Sequence, residues 1–378
     1  MRLSFKHRLY PNRAQTDSLT GMLGAFCDLY NAALQQRIEA YRRRGTSLRY
    51  GNQASELKAV RTEDERLARF SFSAEQQVLR RLDKAFGAFF RRLKTTAKAG
   101  FPRFQPKSRF DSAEFRVGDG LTISKTKRLG IVGIPGEIKV KWHRDLPPEA
   151  KVGAAVVSRS CGKWYICFQI ELPDAASTER SIKAVGIDVG LTSLMALSTG
   201  ETVPTPQWTA KAAKALRRAQ RSVARKKRHS RRQRKAKLRV ARLHARVANQ
   251  RRDFSHKLSR SLVGRFTHIA FENLNVAGMA RGMLAKSVHN AAWSQLVQHV
   301  TYKAANAGGV VVLVDPRGTS QTCPDCGTTK PKKLSVRMHH CDCGCSLDRD
   351  VAAARIVLQR ANFPHGTCGQ GRSESVAA

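Results

Sequence analysis

Acidic residues are scarce in this chain. Asp and Glu number 28 against 69 Lys and Arg in 378 residues, a formal net charge of +41. No compact fold keeps that imbalance without a polyanion to screen it, and nucleic acid is the partner with that chemistry. A membrane surface fits less well, because the basic residues run through the whole chain and not in one tail. Long apolar runs are missing too, and none approaches the length of a membrane span. The start, Met1-Arg2-Leu3-Ser4-Phe5-Lys6, lacks the apolar core of a secretory signal. The expected location is therefore the cytoplasm, at the nucleoid. A disulfide framework is also missing. Of nine cysteines, four (Cys323, Cys326, Cys341 and Cys343) sit in two close pairs within one short segment. That spacing argues for zinc in a reducing compartment. Cys27, Cys161, Cys167 and Cys368 read as core or tail residues, and His289 and His299 as surface or packing residues.

The stretch Val185-Gly186-Ile187-Asp188-Val189-Gly190 is a short β-branched run with one acid in it. Strand alternation sets Val185, Ile187 and Val189 on one face and Gly186, Asp188 and Gly190 on the other. Flanking glycines leave the carboxylate without side-chain walls, open to a metal ion or a phosphate. Thr267–Asn273 repeats the pattern, with Ile269 and Phe271 opposite Ala270 and Glu272. A third acid, Asp350, opens a helical run from Asp348 to Leu358, with Asp348 assigned as the N-cap. Three convergent carboxylates repel one another and stay ionised only with cations between them. Two Mg²⁺ ions, about 3.5–4 Å apart in such sites, suit an all-oxygen set and activate water against a phosphodiester. The helix dipole favours the charged form of Asp350.

Along the chain, residues 2–10 alternate as a strand, and Pro11-Asn12 starts a helix that Gly45 stops. A second helix is expected from Ser73, with Gln76 completing a capping box, running to Gly100. Its polar face, Gln76, Gln77, Arg80, Arg81 and Lys84, is a candidate nucleic-acid contact. From about 113 to 172 short strands alternate: Ile138, Val140 and Trp142, then Trp164, Ile166, Phe168 and Ile170. They suggest a small β-barrel completed by the first strand, with the helical unit inserted in it. Asp174–Arg180 reads as a polar linker. Residues 211–260 hold 21 Lys and Arg and a single acid, Asp253, on a rough helical period. Counterion release on binding phosphates is the better account of that density than a solvated helix, with contacts from Arg225, Lys226, Lys227, Arg231 and Arg232. A helix is expected near Asn290–Asn306 and a buried strand at Val310–Val314. Residues from Asn362 onward read as a disordered tail.

Cys323-Pro324-Asp325-Cys326-Gly327 and Cys341-Asp342-Cys343-Gly344 form two knuckles at zinc-ribbon separation. The ligand set stays open, since His340 stands three residues before Cys343 as an alternative to Cys341, and Cys345 is adjacent.

Taken in order, several motifs resemble the TnpB family, transposon-encoded nucleases related to compact type V CRISPR effectors. They are Arg8-Leu9-Tyr10-Pro11-Asn12, Gly100-Phe101-Pro102-Arg103-Phe104 and Gly-Ile-Asp188-Val-Gly. The basic helix ending Asn249–Phe254 follows, then Phe-Glu272-Asn-Leu-Asn, Asp315–Cys323, the ribbon, and Leu347-Asp348-Arg349-Asp350. The resemblance implies an α/β plus β-barrel multidomain protein. Residues 1–10 and 105–173 would form a wedge-type β-barrel, and 11–104 an inserted helical recognition domain. Residues 180–315 and 346–361 would form an RNase H-like (RuvC) nuclease domain. A zinc ribbon with one structural Zn²⁺ would occupy 316–345, and 362–378 the tail. It implies a noncoding guide RNA from the transposon end, target DNA cleaved beside a short flanking motif, and catalysis by Asp188, Glu272 and Asp350. Arg317 joins the expected nucleic-acid contacts. Two positions depart from the family pattern: Ala352 replaces an Asn, and the second knuckle has one residue fewer between its cysteines. A guided or sequence-specific DNA-binding regulator that does not cut is the alternative, which the three intact acids disfavour. No His motif is paired with a Tyr nucleophile, which counts against RNA-independent cutting and joining.

Overall fold

The computed structural model describes residues 2–95, 98–173, 182–333 and 335–363. The expected linker at Asp174–Arg180 lies outside them, as does the expected tail beyond Asn362 and Phe363. The chain divides into two compact units, Met1–Pro173 and Asp174–Ala378.

The first unit starts with strand β1 (Arg2–Tyr10) and helix α1 (Arg13–Arg44). Asn12 caps α1: its side chain accepts from the Gln15 N–H at 2.8 Å, and the Gln15 side chain accepts from the Asn12 N–H at 3.0 Å. Gly45, in the left-handed conformation at φ 64°, ends the helix where the sequence indicates. Helix α2 (Tyr50–Glu63) and the single turn α3 (Glu65–Ala68) follow. The sequence pattern does not reveal α2, because it buries only Gln53 and Leu57. Gln53 docks through polar contacts, donating to the Ala33 carbonyl and accepting from Arg37 Nε, each at 2.8 Å.

Helix α4 spans Phe72–Leu93 and is capped by Ser71, not Ser73. Ser71 Oγ accepts from the Ala74 N–H, while Ser73 Oγ donates to the Asp119 carbonyl. The helix stops well before Gly100. Its supposed polar face is partly covered by α2: Gln77 and Glu75 are buried, and Gln76 and Arg80 are half-buried. Only Arg81 and Lys84 of that face are exposed.

Seven strands complete this unit: β1, β2 (Ser112–Val117), β3 (Gly120–Ile123), β4 (Leu129–Ile131), β5 (Lys139–Lys141), β6 (Lys151–Ser160) and β7 (Lys163–Glu171). Their order is β4-β3-β2-β6-β7-β1-β5. Leu129 of edge strand β4 exchanges both backbone hydrogen bonds with Ile138, next to the opposite edge strand β5. The sheet is therefore nearly closed, and Phe5, Leu9, Phe115, Ile166 and Phe168 fill it. Gly120, at φ 83°, has no Cβ because one would lie 2.1 Å from Ser71 Oγ, the cap of α4.

The second unit is built on β8 (Ala184–Asp188), β9 (Ser193–Leu197), β10 (Thr202–Pro204), β11 (His268–Glu272) and β12 (Val310–Val314), in the order β10-β9-β8-β11-β12. The first three are antiparallel and the last three parallel. Helices α5 (Trp208–Ala224) and α6 (Arg231–Arg265) join β10 to β11. Short helices α7 (Val276–Met279) and α8 (Ala285–Ala291) lead to α9 (Trp293–Asn306), which starts after Ala292 at φ 54° and not at Asn290. Leu262, Val263, Leu296 and Val300 of α6 and α9 cover one face of the sheet with Val185, Ile187, Ile269 and Phe271. The hairpin β13 (Met338–His340) and β14 (Ser346–Asp348) then leads into α10 (Arg349–Arg360) on the other face, where Val357 meets Ala270 and Val314.

Strand β12 is not buried as its all-apolar sequence suggests. It is the edge strand, and Val310 and Leu313 stay 46% and 49% exposed because no further strand or helix among the described residues covers them.

Glu75 lies fully buried beside Arg61, whose guanidinium donates to it at 2.7 Å. Burial still pushes its carboxyl up, from 4.5 to about 7, against the pull of Arg61. A carboxyl raised on folding is ionised by the unfolded chain first, so its contribution to stability falls as pH rises through that window. Relative to Glu75→Gln, the wild type should lose about 3 kcal/mol between pH 4.5 and pH 7.5, at 1.36 kcal/mol per unit. Urea denaturation of both proteins at the two pH values checks this; equal losses would refute it.

Candidate active site and metal centre

Asp188 ends β8 and Glu272 ends β11. These strands are parallel neighbours with Ile187 opposite Phe271, so the two acids emerge side by side at one end of the sheet. Asp350 lies in the first turn of α10. Asp348 caps that helix as assigned, accepting from the Asp350 N–H at 2.8 Å and the Val351 N–H at 3.3 Å. What brings Asp350 to the strand ends is Gly186. A Cβ there would meet the Ala354 carbonyl oxygen at 2.1 Å and the Leu358 nitrogen at 2.6 Å, so α10 lies directly on the strand backbone. The space beside Asp188 is thus filled by helix on the Gly186 side, which corrects the expectation of an open wall. Gly190 likewise serves the hairpin, with Ser193 O 2.8 Å from a Cβ built at that glycine.

The electrostatics follow from this crowding. Burial first, then the neighbouring Glu272 and Asp350, push the Asp188 carboxyl well above the usual range, while Arg349 opposes them. Burial also raises Glu272, against hydrogen bonds from Thr319 and Asp188 and the charge of Arg360. With both carboxyls raised, the pair favours holding a proton between them when no cation is present. Such a donor set fits hard divalent cations, which replace that proton.

Thr319 was not singled out by its sequence. Its buried hydroxyl donates to Glu272 Oε1 at 2.6 Å from the loop after β12, 47 residues further along the chain. The only signal was its place inside the Asp315–Cys323 motif. Arg360, at the far end of α10, clamps the same loop by donating to the carbonyls of Asp315 and Arg317 at 2.8 and 2.7 Å.

In the ribbon the sulfurs of Cys323, Cys326, Cys341 and Cys343 lie within 4.8 Å of one another. Cys323 approaches Cys343 at 3.6 Å, and Cys326 approaches Cys341 at 3.5 Å. His340 is not in this group; its Nδ1 pairs with Ser346 Oγ at 3.1 Å. Thr328, through its side chain and backbone, holds the Cys326 thiol down at about 6, so a thiolate able to bind metal is at hand at neutral pH. Four converging sulfurs fit a zinc ion.

Among the expected nucleic-acid contacts, Arg225, Lys226, Lys227, Arg231, Arg232 and Arg317 are all exposed. Arg225 and Lys226 also line a concavity of about 480 Å³ on α5 with Lys214, Arg217, Arg218, Arg221 and Ser222. Gln77, buried against the rest of its unit, does not present a free amide, and Arg80 lies over the Tyr50 ring at 4.8 Å.

Residues 167–283 match the family described as "Probable transposase" (OrfB of IS605), and 293–357 match the Cas12f1-like TNB domain. Residues 1–46 match a helix-turn-helix domain, although here they hold β1 and the single helix α1. Relatives in Streptomyces pristinaespiralis (34% identical, covering 97% of this chain and 91% of the relative) and in Escherichia coli K12 (30%, 94% and 91%, InsQ) are each described as "Putative RNA-guided DNA endonuclease". A solved Cas12f1–sgRNA–target DNA complex superposes with TM-score 0.56 at 13% identity, covering 92% of this chain and 83% of that one. The mini RNA-guided endonuclease CRISPR-Cas phi3 superposes with TM-score 0.50 at 9% identity, covering 95% and 92%. At such identities these structures speak for a shared mixed α/β fold.

In chelator at pH 8, Asp188→Asn should melt at a higher temperature than the wild type, because the amide donates to Glu272 without a titrating proton. The advantage should shrink toward pH 5, where the wild-type carboxyl keeps its proton. Mg²⁺ should raise the melting temperature of the wild type and leave the variant unmoved. An equal Mg²⁺ shift in both would show that the ion binds elsewhere.

Proposed function

This chain belongs to the TnpB family, and on that premise we propose that it is a transposon's RNA-guided DNA endonuclease, cutting DNA beside a short flanking motif. The observation that carries the reading is the meeting of Asp188, Glu272 and Asp350 at one end of a five-stranded sheet. An antiparallel trio of strands continued by two parallel ones, with α10 on β8, supports an RNase H-like, RuvC-type domain over 180–315 and 346–361. On this reading 316–345 is the inserted ribbon with one structural zinc. Residues 1–10 and 105–173 form the wedge-type barrel, and 11–104 the recognition helices. The partners are a noncoding guide RNA from the transposon end and target DNA.

Two Mg²⁺ ions held by the three carboxylates would supply Lewis-acid polarisation of the scissile phosphate and an activated water. The chain's own side chains do the rest. Thr319 fixes Glu272 through one oxygen, and the first turn of α10 carries Asp350. Arg349 and Arg360 add positive charge toward Asp188 and Glu272 respectively. The basic wall of α5 offers a phosphate track. No helix among the described residues is long and apolar enough to cross a membrane, and the expected location is the cytoplasm at the nucleoid. A second reading, a guided regulator that binds without cutting, rests on Ala352. This buried methyl in the first turn of α10 stands where the family pattern carries an amide.

The test is loss of target plasmids in cells carrying the protein with its native downstream locus. The targets bear the matched sequence beside a randomised flank. Wild type should deplete a subset sharing one flank, and Asp188→Ala should reduce depletion by about 10³-fold or more, the scale of losing a central charge-stabilising group. Occupancy of the matched sites without depletion would favour the regulator.

Thr319→Val should lower cleavage about ten- to hundredfold, matching roughly 1.5–3 kcal/mol for a hydrogen bond to a charged group. Because the lost hydroxyl held Glu272 down, the acid limb of the pH–rate profile should move to higher pH. Thr319→Ser should restore both rate and limb. An unshifted limb would assign Thr319 a purely structural role.

A further inference from the structure

Five cysteines, not four, converge on the ribbon. Cys345 lies just past the second knuckle and is not needed to complete the four-sulfur set. It is nevertheless buried, at 7% exposure, as are Cys323 and His339 at 1% each. The sulfurs of Cys323 and Cys345 and a ring nitrogen of His339 lie within 4.8 Å of one another. His339 meets Lys332 Nζ through Nδ1, while its Nε2 is buried with no hydrogen-bond partner among the described residues. A buried imidazole nitrogen left unpaired calls for an explanation, and a bound ion is one. The Cys345 thiol in turn hydrogen-bonds the Asp325 carboxylate, so a further oxygen donor stands beside Cys345.

We propose that the ribbon holds a second thiophilic divalent ion, bound by Cys323, His339 and Cys345 with Asp325 as the fourth donor. Cys323 belongs to both groups, so its thiolate bridges this ion to the one in the four-cysteine set. Two sulfurs, one imidazole nitrogen and one carboxylate oxygen make a set that Zn²⁺ accepts with tetrahedral geometry. Binding displaces the Cys345 thiol proton to solvent, takes His339 in the tautomer whose ring proton is on Nδ1, and forms the metal–sulfur and metal–nitrogen bonds, with no change of oxidation state. Cys323 needs no second proton loss, because the same thiolate serves both ions. The shortened second knuckle acquires a reason on this account. C-x-C followed by Gly344 and Cys345 places sulfurs at alternating positions, which lets one short segment address two ions. His339 sits in β13, one residue from the exposed His340, and alternation along that strand turns the first inward and the second to solvent.

The test uses the full-length protein, stripped under reducing conditions, reloaded with zinc chloride, desalted, and analysed for metal and protein. Wild type should retain two zinc ions per chain. Cys345→Ser and His339→Phe should each retain one, with unchanged far-UV circular dichroism. Loading with ¹¹³Cd should give two resonances that split each other through the shared sulfur, and a single one in Cys345→Ser. One ion in the wild type would overturn the proposal, as would two ions persisting in both variants. Two resonances without mutual splitting would overturn the bridge. The count is read without any nucleic acid, so its failure leaves the nuclease reading untouched, and loss of cleavage leaves the count untouched.

Discussion

The closeness of α10 to β8 is the constraint on which the second unit depends. A helix axis normally stands about 10 Å from a sheet because side chains fill the space between. At Gly186 there is no side chain, and the backbone of Ala354–Leu358 occupies the volume a Cβ would need. The small residues on the helix answer this: Ala352, Ala353 and Ala354 are all buried. This approach sets the first turn of α10, with Asp350, beside the ends of β8 and β11. Any side chain at Gly186 displaces the third carboxylate from the other two. The site is therefore specified less by its acids than by the absence of one methyl group two residues before the first of them.

The ribbon is tied to that geometry at both of its ends. On entry, the loop after β12 carries Thr319 to Glu272, and the same loop is gripped by Arg360. On exit, β14 runs straight into the cap of α10, and Arg349 donates to the carbonyls of Lys333 and Val336 inside the ribbon. Its backbone N–H also donates to the Arg337 carbonyl at 2.8 Å, while Arg337 reaches Thr192 Oγ1 of the loop after β8. A metal ion in the four-cysteine set would therefore order both flanks of the carboxylate cluster. The converse also holds, since a ribbon this small has too little apolar surface to fold unaided.

What the sequence made legible was whatever repeats with a period or closes with a cap. The strand Arg2–Tyr10, the Asn12 cap, the Gly45 stop, the strands ending in Asp188 and Glu272 and the Asp348 cap all carry such local signals. Helix α2 was illegible because it docks through Gln53 and Arg37 instead of an apolar stripe. The cap of α4 was misplaced by two residues, since Ser71 and Ser73 offer the same chemistry and only the approach of β3 through Gly120 and Asp119 separates them. The exposure of β12 followed from its edge position, which a run of valines does not announce. Thr319 was missed for a different reason: its partner lies on another strand, and no local pattern reports a hydrogen bond across 47 residues.

The charge excess fits the same division of labour. In α6 the residues before Asp253 bury little besides Gln233, whereas the stretch from Ser255 to Val263 packs against the sheet core. The helix is thus anchored at one end and basic at the other. Adjacent like charges on a helix destabilise it by a few tenths of a kcal/mol per pair. Over a run of 21 basic residues with one acid that cost accumulates, and salt alone screens it incompletely within a Debye length of about 8–10 Å. A phosphate backbone removes it outright. The α5–α6 pair would therefore be most stable with a polyanion bound. The packed end carries the strand bearing Glu272 directly after it, so ordering of the basic helices by nucleic acid bears on the position of a carboxylate. A polyanion on the basic helices would thus be coupled to the carboxylates through one continuous helix and the strand that follows it.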